Sequence, residues 1–141
     1  MVDSKIPEQL LADCHLLGTL PASHVLLNRN AGLPWFILVP ETRLGDFLDL
    51  PDEHREAVLA ECAALSAFIK QVLGFNKVNF GGLGNVVPTM HLHIIGRHPQ
   101  DPCWPRPVWG NLPDGGIYTP QQLHEWQQGL VKMIGLVPAP L

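Results

Sequence analysis

The chain has 141 residues, of which 46% are hydrophobic and 16% charged, the size and balance of one folded domain with a single core. Its formal net charge of -4 and its nine Lys and Arg residues argue against a general nucleic-acid binder, because neutralising a phosphate backbone needs clustered basic side chains. The opening residues lack the pattern of a signal peptide, no apolar run has the length of a membrane span, and three scattered cysteines do not make a disulfide framework. We therefore expect a single domain over residues 1–141, located in the cytoplasm, with no membrane or nucleic-acid partner.

The first part of the chain predicts a short helix followed by a hairpin. Residues 7–14 suit a short helix, and Ser4 stands upstream where a cap is expected. Residues 24–27 and 35–39 are β-prone runs, separated by a segment rich in Asn, Gly and Pro. Pro40 is expected to stop the second of these strands.

The middle of the chain predicts its longest helix, at about residues 52–73. Apolar residues recur there at steps of four and three, which places them on one face of a helix. Gly74 follows at the position where a left-handed residue commonly ends a helix. The residues of this apolar face are Val58, Cys62, Leu65, Ile69 and Val72.

The last part of the chain predicts two more strands and a final helix. Residues 77–80 and 90–95 are strand candidates joined by a Gly-rich loop, and residues 101–116 are rich in Pro and Gly. The final helix begins at Thr119, whose hydroxyl forms a capping box with Gln122. This order of elements predicts an α+β fold with an antiparallel sheet.

Two histidines in the 90–95 strand carry the chemical signal. Side chains alternate across a strand, so His91 and His93 share one face, with Cα atoms about 7 Å apart. An unperturbed imidazole has a pKa of about 6.5 and is mostly neutral at pH 7, so one nitrogen can attack phosphorus while the other donates a hydrogen bond. A neighbouring histidine can contact the phosphate or the departing group. The pair therefore indicates phosphorus chemistry.

Other interpretations of this pair stay open on the residues alone. Histidines at i and i+2 also occur without any chemical role. A His-x-His strand also begins cupin-type metal sites, but those sites need a carboxylate soon afterwards, and the nearest acid here is Asp101, beyond Pro99. We therefore expect no metal ion and no cofactor.

Residues 89–97, Thr-Met-His-Leu-His-Ile-Ile-Gly-Arg, resemble the histidine triad (HIT) motif, His-φ-His-φ-His-φ-φ with φ apolar. The first histidine of the motif is replaced by Thr89. The strand that ends at Pro40 before the long helix and the pair Trp104-Pro105 are also similar to features of this family. The resemblance covers residues 20–109 and implies a HIT-like domain with about five antiparallel strands, a long central helix, a C-terminal helix and a homodimeric state.

The resemblance also implies a mechanism. His91 would attack the α-phosphorus of a nucleotide conjugate and form a nucleotidyl-histidine intermediate, which water then resolves. His93 would assist with the phosphate or leaving group, and Thr89 would present a hydroxyl on the same face. The implied substrates are dinucleoside polyphosphates and nucleoside phosphoramidates.

Further residues are assigned to substrate binding. The resemblance implies that Asn79 and Asn85 contact the phosphate or sugar, and that Asn28 lies near the ribose hydroxyls, where the family often has an acidic residue. Arg97 at the end of the histidine strand is interpreted either as a phosphate ligand or as a structural arginine. Trp35 is interpreted as a core residue or a stacking wall.

The replacement at Thr89 leaves three interpretations. The protein is a hydrolase or nucleotidyl transferase with a variant triad, an enzyme with a changed substrate, or a nucleotide- or metal-binding protein with little or no turnover. The nucleophile His91 is retained, which favours an enzyme. A purely structural module is disfavoured because it gives no reason for His91 and His93 to share a face.

Overall fold

In residues 5–141, which the computed structural model describes, six strands form one antiparallel sheet in the order β4-β5-β3-β2-β1-β6. The same described residues form three α-helices and a short 3-10 helix, Phe47–Asp49, which precedes the longest α-helix. Ser4, the expected cap of the first helix, lies outside the described residues. The elements are α1 (Glu8–Asp13), β1 (Cys14–Thr19), β2 (Ser23–Asn28), β3 (Trp35–Pro40), α2 (Asp52–Gln71), β4 (Lys77–Gly82), β5 (Leu92–Arg97), α3 (Pro120–Ile134) and β6 (Val137–Pro138).

The α+β architecture predicted from the sequence is confirmed. The predicted hairpin is β2 and β3, paired in register from Ser23 opposite Pro40 to Leu27 opposite Phe36. The sequence did not predict β1 or β6, so the sheet has six strands rather than about five. None of the helices in residues 5–141 is long and apolar enough to cross a membrane.

Helix α2 covers one face of the sheet. Four of the five predicted apolar-face residues of α2 are buried, whereas Val72 is exposed because the helix ends at Gln71. The helix packs against alternate residues of β3, with the rings of Phe36 and Phe68 at 6.2 Å. Gly74 has φ of 81° and turns the chain away from the helix end.

Gly96 allows the end of α2 to approach β5. A Cβ atom at this position would lie 2.7 Å from Pro34 Cγ and 2.8 Å from Ile69 Cγ2, closer than carbon atoms can pack. Because Gly96 has no side chain, α2, the β2–β3 loop and β5 can pack closely together beside the histidine motif.

Helix α3 packs against the β6 edge of the sheet. Its Thr119 cap forms the predicted capping box with Gln122. The side chain of Gln127, which is buried, donates hydrogen bonds to Leu17 O at 2.9 Å and Ala139 O at 2.7 Å. These bonds tie the chain after α3 to β1, where β6 forms.

The face opposite α2 is covered at its two ends and carries the histidines between them. At one end, residues Ile6 and Leu10 pack on Leu26, Ile37 and Val39. At the other end, the segment 98–118, between β5 and α3, packs through Cys103 and Val108 on Leu33 and Ile95. His93 therefore lies on this face between its two covered ends, under the rings of Trp35 and Trp109.

Candidate active site

His91 and His93 lie together on the face opposite α2. His93 is the second residue of β5 and pairs with Ile37 of β3, whereas the next residue along, Ile94, pairs with Phe36 on the α2 side. His91 precedes the first residue of β5, so the prediction that it lies within the strand is wrong. Its ring is nevertheless 5.0 Å from the His93 ring, and the residues are only 8% and 5% exposed. The two imidazoles therefore form one nearly buried pair.

The ring of His91 is oriented by the backbone. His91 Nδ1 lies 2.7 Å from the carbonyl oxygen of Thr89. Because a carbonyl oxygen can only accept, the proton of the neutral His91 ring lies on Nδ1 and its lone pair on Nε2. Thr89 itself lies outside the strands, and it contacts His91 through its backbone carbonyl, while a role for its hydroxyl in the site stays a prediction. This is the arrangement of an oriented nitrogen nucleophile.

The ring of His93 is oriented by Trp35. The indole Nε1–H of Trp35 donates a hydrogen bond to His93 Nδ1 at 2.9 Å. An indole N–H is a donor only, so His93 Nδ1 must be the acceptor and the ring proton lies on Nε2. Burial and, to a smaller extent, the neighbouring His91 lower the pKa of His93 to about 4, so His93 is neutral at pH 7.

A second tryptophan packs edge-on against the same imidazole. The ring of Trp109 lies 5.1 Å from the ring of His93 at an angle of 89° and 6.3 Å from the ring of Trp35. Trp109 comes from the segment 98–118, in which sequence analysis predicts only an irregular stretch over residues 101–116. The two indoles shield His93 from water, which is the burial that lowers its pKa.

A cleft of about 460 Å³ opens beside His91. One wall is the 3-10 helix Phe47–Asp49, and the other is formed by the end of β4 and the loop that follows it. The side chains along the cleft include Phe47, Leu48, Phe80, Leu83 and Met90. His91 is part of the lining of this cleft, which also includes Asp46 and Asp49, so a small molecule in it would lie beside His91.

The phosphate role expected for Arg97 is wrong. Its guanidinium is 1% exposed and forms a two-point ion pair with Asp101, at 2.7 Å and 3.1 Å. It also donates to Arg106 O at 2.8 Å and to Asn79 Oδ1 at 2.9 Å. Arg97 is therefore a structural arginine, but a buried one rather than the exposed one that sequence analysis considers, and it holds the segment 98–118 to the sheet.

The structure does not gather the predicted asparagines around the histidines. The oxygen of Asn79 already accepts a hydrogen bond from Arg97, and a contact of Asn79 with phosphate or sugar stays a prediction. Asn28 ends β2, separated from β5 by β3, and its Oδ1 accepts from the Asn30 amide at 2.9 Å. Asn85 is exposed in the loop that leads to His91, and its contact with substrate stays a prediction.

Within residues 5–141, no three His, Cys, Asp or Glu side chains come together in an arrangement that could hold a metal ion. Sequence analysis interprets Trp35 as a core residue or a stacking wall and does not predict its hydrogen bond to His93. The donor-only chemistry of its indole was visible in the sequence, but its position beside His93 depends on the pairing of β3 with β5.

The fold and the motif agree with comparisons to known proteins. Residues 9–100 match the model of the HIT domain. A histidine triad protein from Marinobacter aquaeolei VT8 is 38% identical, with a TM-score of 0.84 over 92% of this chain and 95% of that one.

A histidine triad protein from Bradyrhizobium japonicum is 31% identical, with a TM-score of 0.85 over 92% of this chain and 97% of that one. One from Sinorhizobium meliloti 1021 is 28% identical, with a TM-score of 0.85 over 92% and 96% of the two chains. The search of curated proteins found no match. The match to the domain model and the likeness to these structures show that the chain belongs to the HIT family.

Proposed function

We propose that this protein hydrolyses or transfers a nucleotide at its α-phosphate through His91. Membership of the HIT family suggests a nucleotide-binding hydrolase or transferase. The observation that carries the finer proposal is the hydrogen bond from His91 Nδ1 to Thr89 O, which leaves Nε2 free to attack.

In the proposed first step, His91 Nε2 forms a bond to the α-phosphorus and the bond from phosphorus to the leaving group breaks. The imidazole becomes positively charged, and the Thr89 carbonyl stabilises the proton on Nδ1. In the second step, water attacks phosphorus, the bond to His91 breaks, and the nucleoside monophosphate leaves.

His93 is assigned a hydrogen bond to a phosphoryl oxygen in this mechanism. A neutral imidazole that gave up its Nε2 proton would become an anion, so His93 donates a hydrogen bond rather than a proton. A polyphosphate departs as an anion, and an amine takes its proton from water. Both of the implied substrate classes therefore stay within the proposal.

The replacement of the first triad histidine by Thr89 is compatible with this mechanism. The contact that orients His91 uses the carbonyl oxygen of residue 89, which every amino acid supplies. Threonine cannot carry the positive charge of a protonated histidine, so the replacement removes a charge and leaves the orientation of the nucleophile intact.

The test is intact-protein mass spectrometry after brief incubation with adenosine phosphoramidate and, separately, with diadenosine tetraphosphate. We expect an adenylate adduct and released product with the wild type, and neither with His91→Ala. The matched control is His124→Ala, which removes an exposed imidazole on α3 and should leave both signals unchanged. A folded wild-type protein that binds AMP but gives no adduct and no product would refute catalysis and favour a nucleotide-binding protein.

We also propose that the homodimer implied by the family forms at the β4 edge of the sheet. Strand β4 is the outermost strand on that side, so one of its edges is open to a second strand. The half-exposed side chains of Phe80 and Leu59 line a groove of about 310 Å³ between β4 and α2. The same apolar groove on two copies would be self-complementary about a two-fold axis.

Light scattering should give the mass of a dimer for the wild type and of a monomer for Phe80→Glu. The control is Val86→Glu, which places the same charge on an exposed residue of the neighbouring loop. A monomeric wild type at all concentrations would refute this interface.

A further inference from the structure

We infer that Trp35 is a positioning residue, which acts through His93 by holding it as the Nε2-protonated tautomer that faces the phosphate. The inference deepens the proposed function and rests on it. According to this inference, the hydrogen bond from Trp35 on β3 determines which nitrogen of His93 is protonated and faces the substrate.

The first step of the argument is the direction of the hydrogen bond. Trp35 Nε1 and His93 Nδ1 are 2.9 Å apart, and the indole nitrogen has no lone pair available to accept. If the proton of His93 moved to Nδ1, two N–H groups would point at each other in a nearly buried site. The tautomer protonated on Nδ1 is therefore disfavoured, and so is the doubly protonated ring.

The second step is the difference between the two histidines of the pair. His91 is protonated on Nδ1 because its partner is a carbonyl oxygen, and His93 is protonated on Nε2 because its partner is an indole N–H. The pair thus presents one lone pair, on His91, and one N–H donor, on His93, from rings 5.0 Å apart. A phosphate group needs both at once, because the phosphorus accepts the attack while its oxygens accept hydrogen bonds.

The third step separates Trp35 from the other aromatic neighbour of His93. Trp109 packs edge-on against the same ring at 5.1 Å, close to the 5.9 Å of Trp35. Among the described residues, no hydrogen bond joins Trp109 to His93, and the indole nitrogen of Trp109 is buried without a partner. Loss of the Trp109 indole therefore removes packing from His93, and loss of the Trp35 indole removes the hydrogen bond as well.

The test reads the tautomer directly by ¹⁵N NMR of the histidine side chains in the protein without substrate, from pH 5 to pH 8. In the wild type, His93 should show an unprotonated Nδ1 and a protonated Nε2 throughout this range. In Trp35→Phe, which keeps an aromatic ring and removes the donor, the two signals should move toward each other as both tautomers become populated. In Trp109→Phe, the His93 signals should keep the wild-type pattern.

Turnover adds the functional half of the test. We expect Trp35→Phe to lower kcat by roughly 10- to 100-fold with KM changed by less than about threefold, because a misplaced proton weakens transition-state contacts more than substrate binding. The control for Trp35→Phe is Trp126→Phe, which makes the same substitution at a tryptophan on the opposite, α2 side of the sheet, where Trp126 stacks on Phe36.

The outcomes separate this inference from the proposed function. A wild-type His93 protonated on Nδ1, or signals unchanged by Trp35→Phe, would overturn the inference without use of any substrate. A changed tautomer with unchanged kcat would also overturn it, because Trp35 would then be structural. Absence of turnover in the wild type, with the expected tautomer present, would instead refute the proposed catalysis.

Discussion

Asp101 is expected to be among the most sensitive positions of the fold, because its carboxylate neutralises a buried arginine. The side chains of Arg97 and Asp101 are 1% and 0% exposed, and two hydrogen bonds join them. Burial alone would raise the pKa of Asp101, but the hydrogen bonds from Arg97 and from backbone amides outweigh it and hold the pKa at about 2. The pair is therefore ionised at neutral pH.

Asp101→Asn keeps the shape of the side chain and removes its charge, which leaves the Arg97 guanidinium buried without a counter-ion. Breaking a buried ion pair in this way costs about 3–5 kcal/mol, and neither partner is exposed enough for solvent to reduce the effect. In a domain of this size the loss corresponds to a fall in Tm of roughly 10–20 °C. The measurement is urea and thermal unfolding followed by circular dichroism at pH 7.

The matched control is Asp52→Asn, which neutralises the partner of Arg55 in an ion pair on the surface. The Asp52 side chain is 88% exposed, so the expected loss is below about 1 kcal/mol. If Asp101→Asn cost no more than this control, the reasoning from burial would be refuted.

Three further predictions concern stability. The folded-state pKa of His93 is lowered to about 4 by burial, whereas the unfolded chain titrates near pH 6.5 and binds more protons between these values. Wild-type stability should therefore fall as the pH drops through this window, and the full loss below pH 4 should be about 3 kcal/mol. Urea unfolding of His93→Gln should lack this contribution. If the wild type and His93→Gln lost stability equally as the pH fell, the lowered pKa of His93 would be contradicted. Thr119→Ala removes the capping box of α3 and should lower the free energy of unfolding in urea by about 1 kcal/mol. An unchanged free energy of unfolding would argue against a role of the cap in stability. Gly96→Ala should cost roughly 1–3 kcal/mol because the new Cβ meets Pro34 and Ile69, and an unchanged melting curve would show that these neighbours move aside easily.

The elements that the sequence predicted well are those whose signal is local. The apolar periodicity of α2, the capping box of α3 and the turn between β2 and β3 each lie within a few neighbouring residues. Strand β1 lacks a regular alternation, and it is held by pairing with β2 on both sides of a register shift between Leu16 and Gly18. Strand β6 has two residues, and its place depends on β1 and on the Gln127 hydrogen bonds. Neither strand carries its own periodic pattern.

In the candidate site, too, the residues with a local signal could be predicted and those that depend on long-range contacts could not. His91 and His93 could be identified as a pair because they are two residues apart in a β-prone run, although His91 precedes the first residue of β5. The roles of Trp35 and Arg97 depend on contacts that local patterns do not show. Trp35 meets His93 across 58 residues of sequence. Arg97 stands at the end of a strand, where an exposed side chain is the usual expectation, but the following turn brings Asp101 back over it.

The position of His93 between Trp35 and Trp109 also makes this site visible to fluorescence. Indole emission responds to its surroundings, and a protonated imidazole in contact with an indole quenches it. Protonation of His93 as the pH falls toward its lowered pKa of about 4 should therefore dim Trp35 and Trp109, two of the four tryptophans of the chain. The protein thus carries an intrinsic optical reporter at the place where its charge state matters most.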